Sequence, residues 1–213
     1  MTYLQLVNGV LSRLREDEVA SVSNSDVVAN LVADFVNDAK RLVEDAHTWN
    51  ALRTEWSITT ASGTHTYSLT GAGRYANVEY ILDADGQPLS QQRLQKLRKD
   101  RAGSAQGKPM YYAVAGQDAS ADVQLTLGPT PDAVYSFDVY GFKHQEDLAL
   151  DGDVLLIPSK PVLYYALAMA ARERGEVGGQ TAAEIFQLAG AYLGDAIAHD
   201  ASMSDLDNIW EAV

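Results

Sequence analysis

The spacing of apolar residues changes period twice along this chain, from helical to alternating and back to helical, and that double change limits the fold more than any other feature. Leu4, Val7, Leu11 and Leu14 recur at helical spacing with Val10 beside them, and Thr2 with Gln5 fits a capping box. The polar stretch from Arg15 to Ser25 reads as a loop, and Ser23, Asn24 and Ser25 each offer a cap for a second helix over about 26–49. The apolar stripe of that helix is Val28, Leu31, Val32, Phe35, Val36, Ala39, Leu42, Val43 and Ala46; Asp34, Asp38, Lys40, Arg41, Glu44 and Asp45 are assigned to the solvent side. After Leu52 the period becomes two. Trp56, Ile58 and Thr60 alternate, as do Tyr67 and Leu69, with Ala61-Ser62-Gly63 read as a hairpin turn between them. Val78 to Leu82, closed by Asp85-Gly86, and the stretches 111–115, 123–127 and 134–142 are further strands; Leu89 to Arg101 is a short helix or long loop.

Helical spacing returns after Pro158. Pro161 suits a first turn, Val162 to Ala171 is apolar nearly all round, and Gly175 stops the helix with Arg172 and Arg174 at its negative end. Thr181 with Glu184 caps a last helix carrying Ala182, Ile185, Phe186, Ala189, Leu193, Ala196 and Ile197. The expected fold is therefore α+β: a helical bundle from N-terminal and C-terminal helix pairs, with an inserted antiparallel β subdomain. The expected bounds are 1–52 with 150–200 for the bundle, 53–149 for the insert, and 201–213 for an extended C-terminal docking tail.

Composition narrows the function. The 213 residues include no cysteine, so a disulfide framework, Cys-ligated zinc, iron–sulfur clusters and thiol catalysis are excluded. Sixteen Lys and Arg against 29 Asp and Glu leave a formal charge of −13, which argues against coating nucleic acid or an anionic membrane. The longest apolar run, Val162 to Ala171, is ten residues, too short to cross a bilayer, and no signal peptide is visible. A soluble, cytosol-made acidic globule is expected.

No pattern in the sequence argues for catalysis, a metal or a cofactor. His47, His65, His144 and His199 share no ligand spacing. Gly71-Ala72-Gly73 with Ala76 is a loose dinucleotide fingerprint, but it leads into a strand and reads as a turn. Asp83 and Asp85 open like a calcium loop that never closes. Asp151-Gly152-Asp153 reads as a solvated turn in preference to a cation site, and nothing makes Glu146, Asp147, Asp151 and Asp153 converge.

Two surface features remain. Arg93, Lys96, Arg98, Lys99 and Arg101 place five bases in nine positions against Asp100 alone, so the rest of the chain, with 11 bases and 28 acids, stands at −17. Three readings of this segment are open: a solvated face, nucleic-acid binding, which the lack of interleaved aromatic residues disfavours, and a contact with an acidic neighbouring copy or another partner. In the C-terminal stretch, Leu206, Ile209, Trp210 and Val213 are large apolar residues at helical spacing among acids, with Trp210 as the natural anchor of a docking peptide; a tail folded back on its own subunit is the plainer reading.

Four stretches, taken in order, resemble the head–tail adaptor (head-completion, or connector) proteins of tailed bacteriophages: FVNDAKRLVEDAHTWNALR (Phe35 to Arg53), LTLGPTPDAVY (Leu125 to Tyr135), DGDVLLIPSKPV (Asp151 to Val162) and ERGEVGG (Glu173 to Gly179). The resemblance implies a structural protein with no enzymatic activity and no cofactor. It implies a twelve-fold homo-oligomeric ring at the head–tail interface of the virion, made in the host cytoplasm. Its partners would be the portal protein and a tail tube or nozzle protein, with genomic DNA passing through the lumen without specific binding. The competing reading is a β-rich binding module recognising a surface glycan or another virion protein, since Tyr67, Tyr75, Tyr80, Tyr111, Tyr112, Tyr135 and Tyr140 fall in the insert.

Overall fold

A computed structural model describes residues 1–23, 26–101, 106–175 and 180–204. It is mixed α+β, with five helices and two sheets among the described residues. The helices are α1 (Tyr3–Arg13), α2 (Val27–Ala46), α3 (Leu94–Arg101), α4 (Ser159–Glu173) and α5 (Gln180–Ser204). The strands are β1 (Arg53–Thr59), β2 (Thr66–Ser68), β3 (Asn77–Asp83), β4 (Ser90–Gln91), β5 (Tyr111–Gln117), β6 (Val123–Gly128) and β7 (Ser136–Phe142). The chain divides into a helical unit, Met1–Leu52 with Gln145–Val213, and a β unit, Arg53–His144.

In the helical unit α4 is the central element, packed against α1, α2 and α5. Its Val162, Ala166 and Ala168 are fully buried, which is why its sequence is apolar on nearly every side. The core is built with Leu6, Val7 and Val10 of α1 and with Val32, Val36, Ala39 and Val43 of α2. Thr2 and Gln5 form the capping box of α1, whereas α2 is capped by Asp26, whose Oδ1 accepts from the N–H groups of Val28 and Ala29, and not by Ser23; Asn24 and Ser25 lie outside the described residues. Helix α2 also ends earlier than the expected 49, at Ala46, where its apolar stripe ends. The chain then turns so that Trp49 is buried, its indole N–H donating to the Val43 carbonyl at 2.8 Å.

One assignment on α2 is reversed. Lys40 and Glu44 are not on the solvent side; both are buried and paired at 3.2 Å. The reason is Gln145, where the chain returns from the β unit. Lys40 Nζ donates to the Gln145 carbonyl at 2.6 Å, and Glu44 Oε1 accepts from the Gln145 N–H at 3.2 Å. One turn back along α2, the Asn37 amide grips Leu148 the same way, its Nδ2 donating to the carbonyl and its Oδ1 accepting from the N–H. Arg41 pairs with Asp147 alongside. This strapping is why residues 145–149, expected in the insert, belong to the helical unit.

The β unit is two sheets sharing one core. The first has the order β1-β7-β3 and the second β2-β6-β5-β4. Ile58, Ile81, Phe137 and Val139 from the first face Tyr112, Val123, Leu125 and Leu127 from the second. β1 and β2 lie in different sheets, so Ala61-Ser62-Gly63 joins two sheets and does not close a hairpin. The long-range partner β7 outcompetes the neighbour in sequence because it pairs with β1 over seven residues, whereas β2 has only three. The subdomain is also not wholly antiparallel: Ser90 and Gln91 pair with Tyr111 and Tyr112 in parallel. Helix α5 runs through Ser204, so the tail expected from 201 is helical over its first four residues.

Two glycines have opposite roles. A Cβ on Gly141 of β7 would fall 2.1 Å from the Asn77 carbonyl oxygen, beside the register shift between Val78 and Tyr80. A Cβ on Gly194 of α5 would meet nothing within 4 Å. Gly141→Ala should therefore cost about 1–3 kcal/mol through forced backbone shifts, while Gly194→Ala should gain about 0.5–1 kcal/mol, both read from urea unfolding midpoints. In the same assay Lys40→Met, which leaves Glu44 buried without its cation and the Gln145 carbonyl without its donor, should cost about 3–5 kcal/mol.

Candidate interaction surfaces

The basic segment forms helix α3 on the β unit. Leu97 is 5% exposed and its Cδ2 would lie 2.8 Å from a Cβ on Gly128, so the missing side chain seats the helix closely on β6. Gly128 pairs with Tyr111, and Thr126 with Ala113, on the face of the second sheet opposite the shared core. Helix α3 therefore covers that outward face. Arg93, Lys96, Arg98 and Lys99 are exposed, with Arg93, Lys96 and Lys99 at three-residue steps. Lys96 Nζ donates to Gln92 Oε1 at 3.2 Å. The side chain of Arg101 lies outside the described residues. Leu97, Asp100, Tyr111, Leu127, Gly128, Pro129 and Thr130 line a cavity of about 270 Å³ beside the helix, with Asp100 as its one carboxylate.

The outward face of the first sheet has a different chemistry. Register places Glu55, Tyr140 and Tyr80 in one row across the three strands, and Arg53, Phe142 and Asn77 in the next. The Tyr80 and Tyr140 rings stack with centroids 4.8 Å apart and planes 22° apart. The Arg53 guanidinium lies 5.4 Å over the Phe142 ring and 3.9 Å from a Glu79 carboxylate oxygen. Glu55 and Glu79 are exposed, Asp138 half-buried, and Tyr80 40% exposed. Burial, then the charge of Glu55 and its hydrogen bond, with Asp138 behind them, pushes the Tyr140 hydroxyl up from its ordinary value. Alternation in the sequence marks Glu55, Asp138 and Tyr140 as outward positions. It does not reveal the tyrosine stack, which requires β3 to pair with β7 at one register.

The remaining polar candidates are absorbed by the fold. Gly71 and Gly73, both at positive φ, donate their N–H groups to the two Asp122 carboxylate oxygens at 3.0 and 2.8 Å, so this glycine loop cradles an anion of its own chain. Asp83 Oδ1 accepts from the N–H groups of Asp85 and Gln87, and Lys108 bridges Asp83 and Asp85 at 2.7 and 3.1 Å; the two acids hold a turn and a cation side chain. His47 contacts Asp200 at 3.2 Å, and Asp200 also accepts from the Asn50 N–H, which ties the end of α5 to the loop after α2. His144 stacks on Tyr75. His65 and His199 use backbone carbonyls to accept from the Leu127 N–H and the Ser202 hydroxyl. Among the described residues no three His, Asp or Glu side chains are grouped to hold a metal, and no helix is long and apolar enough to cross a membrane.

Asp151-Gly152-Asp153 is a structural clasp. Asp151 Oδ1 accepts from Val22 N–H at 2.7 Å and the Asp153 carbonyl from Tyr3 N–H at 2.8 Å, while Asp153 Oδ2 accepts from the N–H groups of Ala149 and Leu150. Those two backbone bonds hold the Asp153 carboxyl below its usual range. A depressed carboxyl stabilises the fold above its unfolded pKa and loses that contribution as pH falls through its folded value. Asp153→Asn should therefore lower the melting temperature at neutral pH. The gap from wild type should close as pH falls below about 3.9; a gap constant from neutral pH to acid would remove this role.

Arg174, expected to serve the end of its own helix, instead donates to the Leu14 carbonyl at the end of α1 and pairs with Glu16. Exposed apolar side chains of the helical unit include Leu150, Val154 and Leu156, around the clasp, and Val27 at the start of α2. The docking candidates Leu206, Ile209, Trp210 and Val213 lie outside the described residues, as does the Thr181 side chain proposed as a cap.

No curated protein matches the chain. A family model described as SU10 adaptor protein matches residues 1–208, a span that takes in both units. The chain thus belongs to the SU10 adaptor protein family, a family of phage head–tail adaptors.

Proposed function

We propose that this chain, a structural adaptor by family, is the subunit of an oligomeric ring that joins the phage portal to the tail and lets DNA pass through its centre. The observation that carries the reading is the family match across the helical and β units together. In this reading the helical unit forms the body of the ring and the β unit meets tail components, a tail tube or nozzle protein among them. Exposed Arg93, Lys96, Arg98 and Lys99, with Arg101, make a contact to a sister copy or another partner. Charge supports the conduit: twelve copies at −13 each sum to −156, a field that repels the phosphate backbone and lets it slide.

The C-terminal residues dock on the portal, with Leu206, Ile209, Trp210 and Val213 as anchors. They follow directly on a helix that Asp200 ties to Asn50, so they start from a held point. Ordering such a segment costs about 2–5 kcal/mol, which many simultaneous copies on a preformed portal offset. A chain truncated after Ser204 should keep the melting temperature of the full chain and fail to co-sediment with portal particles. Trp210→Ala should weaken attachment by roughly 30-fold, as for a buried aromatic anchor. Attachment unchanged in the truncated chain would refute the docking role, and the mass of particles with and without portal tests the ring itself.

A further inference from the structure

The two outward faces of the β unit are chemically complementary and lie on opposite sides of one sandwich. Helix α3 covers the second sheet with exposed Arg93, Lys96, Arg98 and Lys99. The first sheet presents the stacked Tyr80–Tyr140 pair bordered by Glu55, Glu79 and Asp138. Within one copy these surfaces never meet, because the core of Ile81, Leu125, Leu127, Phe137 and Val139 stands between them. A surface and its complement on opposite sides of one body is the arrangement of a head-to-tail contact, the kind that closes rings.

We infer that the basic helix α3 of one copy docks on the Tyr80–Tyr140 face of the next. The inference rests on the ring reading above and adds, to the helical body of the ring, a contact between the β units of neighbouring copies. The receiving face already holds a cation of its own in the manner proposed: Arg53 lies over Phe142 and beside Glu79. An incoming Lys or Arg finds the same two partners, an aromatic face and a carboxylate, at Tyr80, Tyr140 and Glu55, and would share Glu79 with Arg53. The aliphatic stems of Lys96 and Lys99 would cover the tyrosine rings while their ammonium groups reach the acids. The helix is held for this by Leu97 against Gly128. A sugar also stacks on tyrosine, but a matched cationic helix carried by every copy favours a second copy as the occupant, and the bordering carboxylates repel a nucleic-acid backbone.

Charge reversal in the full chain tests the contact. One variant carries Lys96→Glu with Lys99→Glu, the other Glu55→Lys with Glu79→Lys; all four positions are exposed, and unchanged circular dichroism confirms each fold. In sedimentation velocity at rising concentration, wild type should associate, and less so as salt exceeds about 0.15 M. Each variant alone should lose the association. Mixed together they should associate again and grow with alternating partners, since the native helix of one meets the native face of the other and the reversed helix meets the reversed face, and both reversals in one chain should likewise restore growth. The chain has no native thiol, so Lys99→Cys with Tyr80→Cys in one chain should give a disulfide-linked ladder under mild oxidation, and Tyr80→Cys alone should not.

Association that survives either reversal, or a mixture that behaves as its components do alone, overturns the docking. So does a sugar-array signal lost in Tyr80→Ala without any ladder. Rings that persist in particles built from either variant overturn the docking and leave the ring reading standing, whereas a chain found single in the particle removes both.

Discussion

A buried lysine–glutamate pair inside one helix organises the helical unit. Two charges four residues apart on a helix ordinarily face water, and burying them costs several kcal/mol per ion. Lys40 and Glu44 are buried because each has a second partner in the backbone of Gln145, carbonyl for the cation and N–H for the anion. Their hydrogen bonds replace the water they lost, and the backbone of Gln145 is satisfied away from any sheet. The Gln145 side chain extends the arrangement, donating to the Val154 carbonyl and accepting from the Leu156 N–H. From there the clasp of Asp151 and Asp153 reaches Val22 and Tyr3, and the Tyr3 hydroxyl returns to α2 at the Ala33 carbonyl. Burial, with Asp34 and Asp147 nearby, pushes that hydroxyl up to about 12, so it remains a donor throughout the physiological range.

The acids of this chain do two kinds of work. Asp26, Asp83, Asp122, Asp151, Asp153 and Asp200 accept backbone N–H groups at helix starts, turns and loop crossings. A carboxylate is suited to such places because a charged acceptor makes the stronger bond. These side chains are used inside the fold, yet their charge still contributes to the field around it. Glu55 and Glu79 are instead exposed and meet side chains of their own sheet, Glu55 at the Tyr140 hydroxyl and Glu79 beside Arg53. One residue type thus serves both the turns of the fold and the field around it.

An adaptor is judged by surfaces, and its surfaces come from the packing beneath them. Helix α3 has a low share of apolar residues and would not be stable alone. It exists as a helix because Leu97 finds a site on β6 where Gly128 leaves room. The tyrosine stack on the other side depends on the bulge at Val78 and Tyr80, which Gly141 permits by leaving space for the Asn77 carbonyl. Both surfaces are therefore consequences of missing side chains at two glycines.

Periodicity alone was enough to place the helices at both ends, the strands between them, the capping box of Thr2 and Gln5 and the buried character of α4, because these follow from neighbours within a few residues. The basic segment was legible for the same reason. Pairing at long range was not. That β1 chooses β7, that Ser90–Gln91 runs parallel to β5, that Tyr80 meets Tyr140, and that Lys40 and Glu44 turn inward all depend on residues tens of positions away. The Asp151–Asp153 turn read as solvated in the sequence, since only the folded chain brings the Val22 N–H to Asp151. Local spacing carries the information for an element, while the partner of a polar or aromatic side chain is decided by whichever distant group the packed core leaves within hydrogen-bonding or van der Waals reach.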